Sequence, residues 1–151
     1  MLNLDILTHF NNEFARPLEP IISFINEDRH ILKQPEIVQA IVTFNIALIL
    51  LDQEPPKEEI ENHVLYGDLY LAEFYITLSE KQEFDALSDV LNIAKEVINL
   101  KSLYLRGEVN TLEKRYILFG PILYLKDREY ITKDIDQVLD LIMLNGDFND
   151  K

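Results

Sequence analysis

Cysteine is absent from this sequence of 151 residues, and glycine and proline are scarce, with four and six residues respectively. Without cysteine the chain forms no disulfide and offers no thiolate nucleophile or cysteine-ligated metal site. Because glycine and proline are few, long segments run uninterrupted, and their apolar residues recur at three- and four-residue spacing, which is typical of α-helices. The sequence therefore predicts an all-α fold.

Basic residues are also in short supply, since 14 lysines and arginines stand against 27 aspartates and glutamates, for a net charge of −13. Such a charge repels the phosphates of nucleic acids and of anionic membrane surfaces. The longest apolar run, IALILL at 46–51, is far shorter than the roughly 18 residues of a membrane span, and the start of the sequence lacks a basic signal-peptide region. We expect a soluble cytoplasmic protein that binds no nucleic acid and is not an integral membrane protein.

The length fits one domain, so we expect residues 1–151 to form a single helical bundle of about six to seven helices, with 145–151 as a frayed tail. Proline, glycine and capping residues set the predicted bounds. The predicted helices cover about Leu2 to Phe14, Pro17 to Asn26, Pro35 to Leu51, Pro56 to Ser79, Ser79 to Gly107, a helix from Asn110 through YILFGPILYL, and Thr132 to Leu144.

Three of these helices carry more specific signals. The helix from Pro35 is apolar nearly all round, which predicts a position in the middle of the bundle. Capping boxes are predicted at Asn110 with Glu113 and at Ser79 with Gln82, and a C-cap at Gly107. A break or kink is expected at Gly120-Pro121, because proline removes a backbone donor within a helix.

The usual chemical motifs are missing. The histidines His9, His30 and His63 fall in different predicted elements without the spacing of a metal site or catalytic pair, and we interpret them as surface or capping residues. Asp136 and Asp140 lie one turn apart but lack the glycine and final glutamate of a calcium loop, which favours charge on a solvated helix start over a cation site. We predict no catalytic residue and no metal ligand, and whether the chain belongs to an enzyme stays uncertain.

Residues 63–79, HVLYGDLYLAEFYITLS, form an unusually apolar predicted helix. Its three faces are all mostly apolar or aromatic: Val64, Asp68, Leu71, Tyr75 and Leu78; Leu65, Leu69, Ala72 and Ile76; and Tyr66, Tyr70, Phe74 and Thr77. Such a helix needs packing partners on all sides, supplied by the fold or by another subunit.

A Gly-Asp pair interrupts this helix. Gly67 costs about 1 kcal/mol relative to alanine in a helix interior, which indicates a close helix-helix approach. Asp68, if buried, needs a cation or hydrogen-bond donors, and Lys101 and Arg106 are candidates. We favour an interior aspartate satisfied within its own chain, and a role at an active site is the alternative.

The stretch VLYGDLYLAEFYITLS resembles the VLxGDYxxxxFYxxLA helix of the small, non-catalytic subunit of heterodimeric bacterial long-chain polyprenyl diphosphate synthases, called heptaprenyl diphosphate synthase component 1 or the hexaprenyl diphosphate synthase small subunit. A second segment, LNIAKEVINLKSLYL at 91–105, is similar to that family's xxxAIxEINELKxxLY segment and follows at about the family's spacing. Leu69 occupies the family's usual tyrosine position, and Tyr70 follows it. The two segments span about residues 63–105, under a third of the chain.

The resemblance implies a fold and a function. The fold would be a reduced form of the all-helical trans-prenyltransferase (isoprenoid synthase) fold. A partner with DDxxD motifs would hold Mg²⁺ and elongate the chain, and this sequence, which has no adjacent aspartates, would need no cofactor of its own. The hetero-oligomer would act in isoprenoid and menaquinone biosynthesis, and this subunit would affect activity, product length and product release.

The resemblance also places the contact with the partner. The candidates for the subunit interface or product tunnel are Val64, Tyr66, Gly67, Asp68, Tyr70, Leu71, Phe74 and Tyr75, with Leu100, Lys101 and Tyr104 in support. Large aromatic residues anchor interfaces, although ordinary core packing is the alternative for each one. The competing hypothesis for the whole chain is an acidic helical adaptor or antagonist, homodimeric, that binds a basic partner. The isolated chain could also form a homodimer.

Overall fold

The computed structural model describes residues 15–105, 107 and 110–145. They form six α-helices: α1 (Glu19–Asn26), α2 (Pro35–Leu51), α3 (Ile60–Glu80), α4 (Phe84–Leu105), α5 (Thr111–Asp127) and α6 (Ile135–Asn145). Single 3₁₀ turns lie at Arg16–Leu18, Asp28–His30 and Lys57–Glu59. Within these residues there is no β-strand, only an isolated antiparallel bridge between Ile31 and Ile131. The predicted all-α bundle is confirmed. Of the predicted frayed tail 145–151, Asn145 still belongs to α6, whereas 146–151 and the predicted helix 2–14, with His9, lie outside the described residues.

Helix α2 is the centre of the bundle, as its composition predicts. It begins at Pro35, whose fixed φ suits the first helical position, and it packs chiefly against α3 and α5. Buried side chains line every side of it, including Ile41, Phe44 and Leu50. Its burial on all sides explains why the segment has no polar face.

Gly67 allows α3 to approach α2 closely. A Cβ atom built on Gly67 would lie 2.6 Å from Cγ of Leu51, which is closer than carbon atoms pack in proteins. The helix-helix approach predicted from this glycine is therefore confirmed, and α2 and α3 form the most extensive helix pair of the described fold.

Helix α5 is kinked at the predicted Gly120-Pro121 site. Phe119 has non-helical torsion angles (φ −126°, ψ 22°), so the bond that would join Ile122 N–H to the Leu118 carbonyl in a regular helix is opened. The carboxamide of Asn45, on α2, fills the gap. Its Nδ2 donates to Leu118 O at 2.7 Å, and its Oδ1 accepts from Ile122 N at 3.0 Å. A buried α2 side chain thus completes the α5 hydrogen-bond ladder.

The connection between α3 and α4 differs from the predicted capping box at Ser79 and Gln82. Ser79 stays inside α3, which ends at Glu80, and Gln82 adopts a left-handed φ of 57°. Gln82 N donates to Ser79 O, and Glu83 N donates to Leu78 O, which is the Schellman pattern of a helix C-terminus. The serine prediction was wrong because these bonds continue α3 past Ser79. The other predicted caps are confirmed: Asn110 and Glu113 form a capping box, and Gly107 has a φ of 75°.

The segment that follows α1 pairs with the segment that precedes α6. Leu32 N donates to Tyr130 O, and Thr132 N donates to His30 O, so a short antiparallel clasp forms around the Ile31–Ile131 bridge. Because Thr132 takes part in this clasp, α6 begins at Ile135 rather than at the predicted Thr132. In the described part of the chain, no helix has the length and apolarity that crossing a membrane requires.

Candidate functional site

Helix α3 buries only one narrow stripe against the rest of the bundle. The stripe follows helical spacing and consists of His63, Gly67, Tyr70, Phe74 and Leu78. Phe74 stacks on Phe44 of α2 with ring centroids 4.1 Å apart, which fixes the orientation of the helix. The fold therefore covers the face that contains Tyr70 and Phe74, together with Leu78 from the neighbouring face.

The opposite side of α3 is apolar and exposed. Leu65, Leu69, Ala72 and Ile76 lie along its middle, and Val64 and Tyr75 lie along one edge; we call these six residues the outward face. Leu65 is 61% exposed and Ile76 is 55% exposed. The four middle residues are spaced by four, three and four positions, which is the spacing of a seam that packs against another helix. A row of large exposed apolar side chains of this kind marks a surface for interaction.

The structure divides the predicted interface residues into two groups. Gly67, Tyr70 and Phe74 are buried within the chain's own core, and Tyr66 and Leu71 are half-buried against that core. Val64, Asp68 and Tyr75 are exposed. Ordinary core packing thus accounts for Tyr70 and Phe74, and Tyr75 is the aromatic residue of α3 that is left available to a partner.

Asp68 is exposed, so the interpretation as an interior aspartate was wrong. It follows Gly67 by about 100° around the helix, and this rotation turns it from the α2 contact toward the outward face. Lys101, one proposed partner, pairs instead with Asp52 at 3.0 Å. Arg106, the other, lies outside the described residues. An exposed carboxylate keeps its hydration and needs no internal cation.

The supporting residues of the prediction lie on α4, away from a common site with α3. Leu100 is half-buried, and Lys101 is half-buried beside Asp52. The side chain of Tyr104 lies outside the described part of the structure. The second family-like segment therefore takes part in the packing of α4, and its described residues do not belong to the outward face of α3.

Negative charge borders the central seam of Leu65, Leu69, Ala72 and Ile76 on both sides. At 100° per residue, Glu61 and Asp68 lie between this seam and the edge formed by Val64 and Tyr75, and Glu73 and Glu80 lie on the opposite side of the seam. Residues 60–80 contain no lysine or arginine. The surface thus combines an apolar seam with borders whose only charges are negative, which suits a partner with basic residues at matching positions.

Four residues of the outward face were not among the predicted interface residues, namely Leu65, Leu69, Ala72 and Ile76. Their four-three-four spacing was visible in the sequence, but the other two faces were also mostly apolar. The signal that distinguishes them is Gly67, because a glycine that admits a neighbouring helix marks the inner side, and the outward face lies opposite.

The two described histidines are buried, so their interpretation as surface or capping residues was wrong. His63 lies in the buried stripe of α3, and His30 stacks on Phe24 with ring centroids 3.9 Å apart. His30 Nε2 lies 2.7 Å from Glu27 Oε2, and its Nδ1 lies 3.1 Å from Thr132 Oγ1. The hydrogen bonds from His30 and Arg29 lower the pKa of the Glu27 carboxyl. His30 thus has a structural role in the clasp.

Asp136 and Asp140 are engaged by basic side chains of α5. The Arg115 guanidinium contacts both carboxylates and lies 2.7 Å from Asp136 Oδ1, while Lys126 lies 3.3 Å from the same oxygen. Both carboxylates stay partly in contact with solvent, since 40% of the Asp136 side chain and 63% of the Asp140 side chain are exposed, and they are in addition paired with α5. Among the described residues, no group of three or more histidines or carboxylates is arranged to hold a metal ion.

Comparison of the chain with protein-family models, with curated proteins and with solved structures found no match in any of the three.

Proposed function

We propose that this chain is the non-catalytic subunit of a heteromeric long-chain polyprenyl diphosphate synthase, and that it binds the catalytic subunit through the outward face of α3. The observation that carries the proposal is the exposed apolar seam on the helix that has the family-like VLYGDLYLAEFYITLS sequence. A partner that covers this face removes several large apolar side chains from water. Each leucine or isoleucine so buried contributes about 1.5–3 kcal/mol before the costs of association.

The acidic borders of the outward face favour a different chain over a second copy. In a symmetric dimer through α3, Glu61, Asp68, Glu73 and Glu80 would meet the same acids on the other copy, and like charges that face each other oppose association. We therefore expect a partner helix with an apolar seam and basic borders. The catalytic subunit would bind Mg²⁺ and both diphosphate substrates, and this chain would influence its activity, chain length and product release.

An elongation assay tests the proposal directly. Farnesyl diphosphate, labelled isopentenyl diphosphate and Mg²⁺ are incubated with this chain alone, with the DDxxD-containing prenyltransferase of the same source alone, and with the mixture. We expect long-chain product from the mixture only. If this chain leaves the rate and the product length of the folded partner unchanged, the proposal is overturned.

Paired variants connect the activity to the outward face. We expect Leu69→Gln together with Ile76→Gln to weaken the complex by at least about tenfold per residue, since each loses about 1.4 kcal/mol or more of apolar burial. Leu141→Gln changes a leucine that is also 55% exposed but lies on α6, and it should leave the affinity unchanged. Equal effects of the α3 and α6 variants would contradict the assignment of the interface.

The oligomeric state of the isolated chain distinguishes the proposed subunit function from the competing hypothesis of a homodimeric acidic adaptor. Light scattering after size-exclusion chromatography should give a monomer, because the acidic borders repel a second copy. A stable homodimer that Leu69→Gln dissociates would favour the acidic adaptor instead.

A further inference from the structure

A cavity of about 170 Å³ lies between α2, α4 and α5. Because each helix contributes residues seven positions apart, such as Asn45 and Asp52, the cavity is about 10 Å long. Asn45, Val97 and Pro121 line its inner end and are buried. Asp52 and Ile98, which also line it, are exposed, so the cavity opens to solvent. The cavity is thus a narrow channel that a small molecule can enter.

Aliphatic side chains form most of the cavity wall. All three helices contribute to them: Leu48, Ile49, Ala94, Ile98, Ile117 and Leu118. The carboxamide of Asn45, a polar group of the wall, already donates to Leu118 O and accepts from Ile122 N. Water therefore finds few partners here, because a buried water molecule needs several polar ones. A cavity of about 150 Å³ with apolar walls binds a hydrocarbon the size of benzene, so this cavity holds an aliphatic group of about six carbon atoms.

The charged side chains at the opening of the cavity are paired within the chain. Lys101 Nζ lies 3.0 Å from Asp52 Oδ1. Lys114 also has an interaction partner, so neither lysine is free to bind an anion. Gln53, which lines the cavity beside Asp52, is uncharged. A charged ligand would lose hydration without gaining a free counter-ion, and the cavity therefore favours a neutral ligand.

We propose that this cavity binds a neutral, unbranched aliphatic molecule with a chain of about six carbon atoms, such as a primary alcohol. The chain lies between α2, α4 and α5, and the hydroxyl group stays at the opening beside Asp52 and Gln53. The narrow, elongated shape favours a chain over a ring system, and the paired charges favour a neutral molecule over an ionised one. The proposal is independent of the subunit function, because the outward face of α3 takes no part in it.

Titration of the full chain with a series of primary alcohols tests the proposal, with the methyl signals of isoleucine and leucine followed by NMR spectroscopy. The series consists of butanol, pentanol and hexanol, each with a terminal hydroxyl group. We expect saturable binding that strengthens about fourfold with each added methylene, since each one enters the apolar part of the cavity. The signals of Ile98 and Ile117 should shift, and those of Leu141, on α6, should not. No saturable binding, or binding that does not depend on chain length, would overturn the proposal.

Ionised molecules with the same chain test the preference for a neutral ligand. Hexanoate would bring its carboxylate to Asp52, and hexylammonium would bring its ammonium group to Lys101. We expect both ions to bind at least about fivefold more weakly than hexanol. Equal or tighter binding of either ion would contradict the proposal of a neutral ligand.

A matched pair of leucine variants assigns the binding to the cavity. Ala94→Leu fills the apolar part and should abolish binding of hexanol, whereas Asn92→Leu adds the same side chain at an exposed position of α4 and should leave the binding unchanged. Circular dichroism verifies that each variant folds. If Ala94→Leu does not fold, Ala94→Val fills less of the cavity and should weaken the binding of hexanol by at least about tenfold. Undiminished binding of hexanol to a folded Ala94 variant would contradict the cavity as the site.

Discussion

At the scale of single residues, Asn45 has the most demanding position in the core. It is 1% exposed, and its carboxamide matches a donor and an acceptor that the kink in α5 leaves open. Both α5 groups are backbone atoms, one before and one after Pro121, and a backbone group removed from water needs a hydrogen-bond partner. The kink in α5 therefore requires an asparagine at this buried position of α2, although the rest of the helix is apolar.

Replacement of Asn45 should be costly. Asn45→Leu keeps the approximate volume but leaves Leu118 O and Ile122 N without the amide, so we expect a loss of about 2–4 kcal/mol in the free energy of unfolding. Urea unfolding measures the loss. Asn92→Leu, at an exposed position of α4, should change the free energy by no more than about 0.5 kcal/mol. Similar values for the two variants would argue against the bridging role.

Gly67 offers a second test at this scale. Gly67→Ala places a methyl group against Leu51, and the resulting overlap should destabilise the protein by about 1–3 kcal/mol. Truncation of the neighbour should relieve the overlap, so the double variant Gly67→Ala with Leu51→Ala should lose less stability than the two single variants added together. Simple additivity in urea unfolding would mean that Leu51 is not the obstacle.

At the scale of helices, two C-termini use residues other than glycine in the left-handed position. Gln82 (φ 57°) ends α3, and Glu129 (φ 61°) ends α5, where Tyr130 N donates to Leu125 O and Glu129 N donates to Lys126 O. Both follow the Schellman pattern, in which glycine is preferred because a side chain strains the positive φ.

Glycine at these positions should stabilise the fold. We expect Gln82→Gly and Glu129→Gly to raise the free energy of unfolding by about 0.5–1 kcal/mol each, and the effects should add because the sites end different helices. Thermal unfolding gives a convenient measurement. Gln39→Gly, within the regular helix α2, is the control and should lower stability instead. A decrease for all three variants would show that the left-handed positions carry no strain.

The bounds of a helix were predictable where residues close in the sequence determine them. They were less predictable where contacts between distant parts of the chain determine them. Pro35 begins α2, and the Asn110–Glu113 box begins α5, as residues close in the sequence dictate. The end of α3 was misjudged because Gln82 is an unusual residue for a C-terminus. The insertion of Asn45 into α5 depends on a contact across 73 positions, and periodicity carries no information about such contacts.

The candidate site was predictable only in part for a related reason. Three apolar faces of α3 are nearly equivalent in the sequence, and only the docking of Gly67 on Leu51 decides which one is covered. Val64 and Tyr75 were predicted and are exposed, while Tyr70 and Phe74 were predicted and belong to the core. A cavity lined by residues of α2, α4 and α5 was beyond prediction, because its walls come from three separate helices.

Tyrosines couple α5 to α4 in a pH-dependent way. Burial and a hydrogen bond to Glu96 raise the pKa of Tyr116 from 10.0 to about 12, and burial and the nearby Asp89 raise that of Tyr124 likewise to about 12. Their hydroxyls donate to Glu96 at 3.0 Å and to Asp89 at 3.2 Å. Since the folded pKa exceeds the unfolded one, the stabilisation is complete below pH 10 and is lost as the pH rises toward about 12.

Removal of the two hydroxyls should flatten this alkaline decline. We expect the double variant Tyr116→Phe with Tyr124→Phe to lose less stability than the natural chain over the same pH range, as measured by urea unfolding. A smaller decline should persist, because burial also raises the pKa of Tyr130, and a hydrogen bond to Glu36 raises that of Lys81. Identical pH profiles for the variant and the natural chain would contradict the assignment.

At the scale of the whole molecule, excess negative charge opposes compaction. The net charge of −13 makes carboxylates repel one another, and salt screens this repulsion. Screening also weakens exposed ion pairs such as Lys81–Glu36, but each of these contributes only about 0–1 kcal/mol. We expect the melting temperature to rise between roughly 0.01 M and 0.15 M sodium chloride, where the screening length falls from about 30 Å to about 8 Å. A fall in melting temperature would mean that the ion pairs dominate.

The clasp between Ile31 and Ile131 has a consequence for the order of folding. It closes a loop of 100 residues, and closing a loop of that length costs chain entropy. The cost becomes small once the intervening helices have paired, because their pairing already brings the two ends of the loop together. The contacts of α2 with α3 and of α4 with α5 join neighbours in sequence and can form early. We therefore expect the clasp to form after the transition state, so that substitution of His30 or Thr132 speeds unfolding and leaves the rate of folding nearly unchanged.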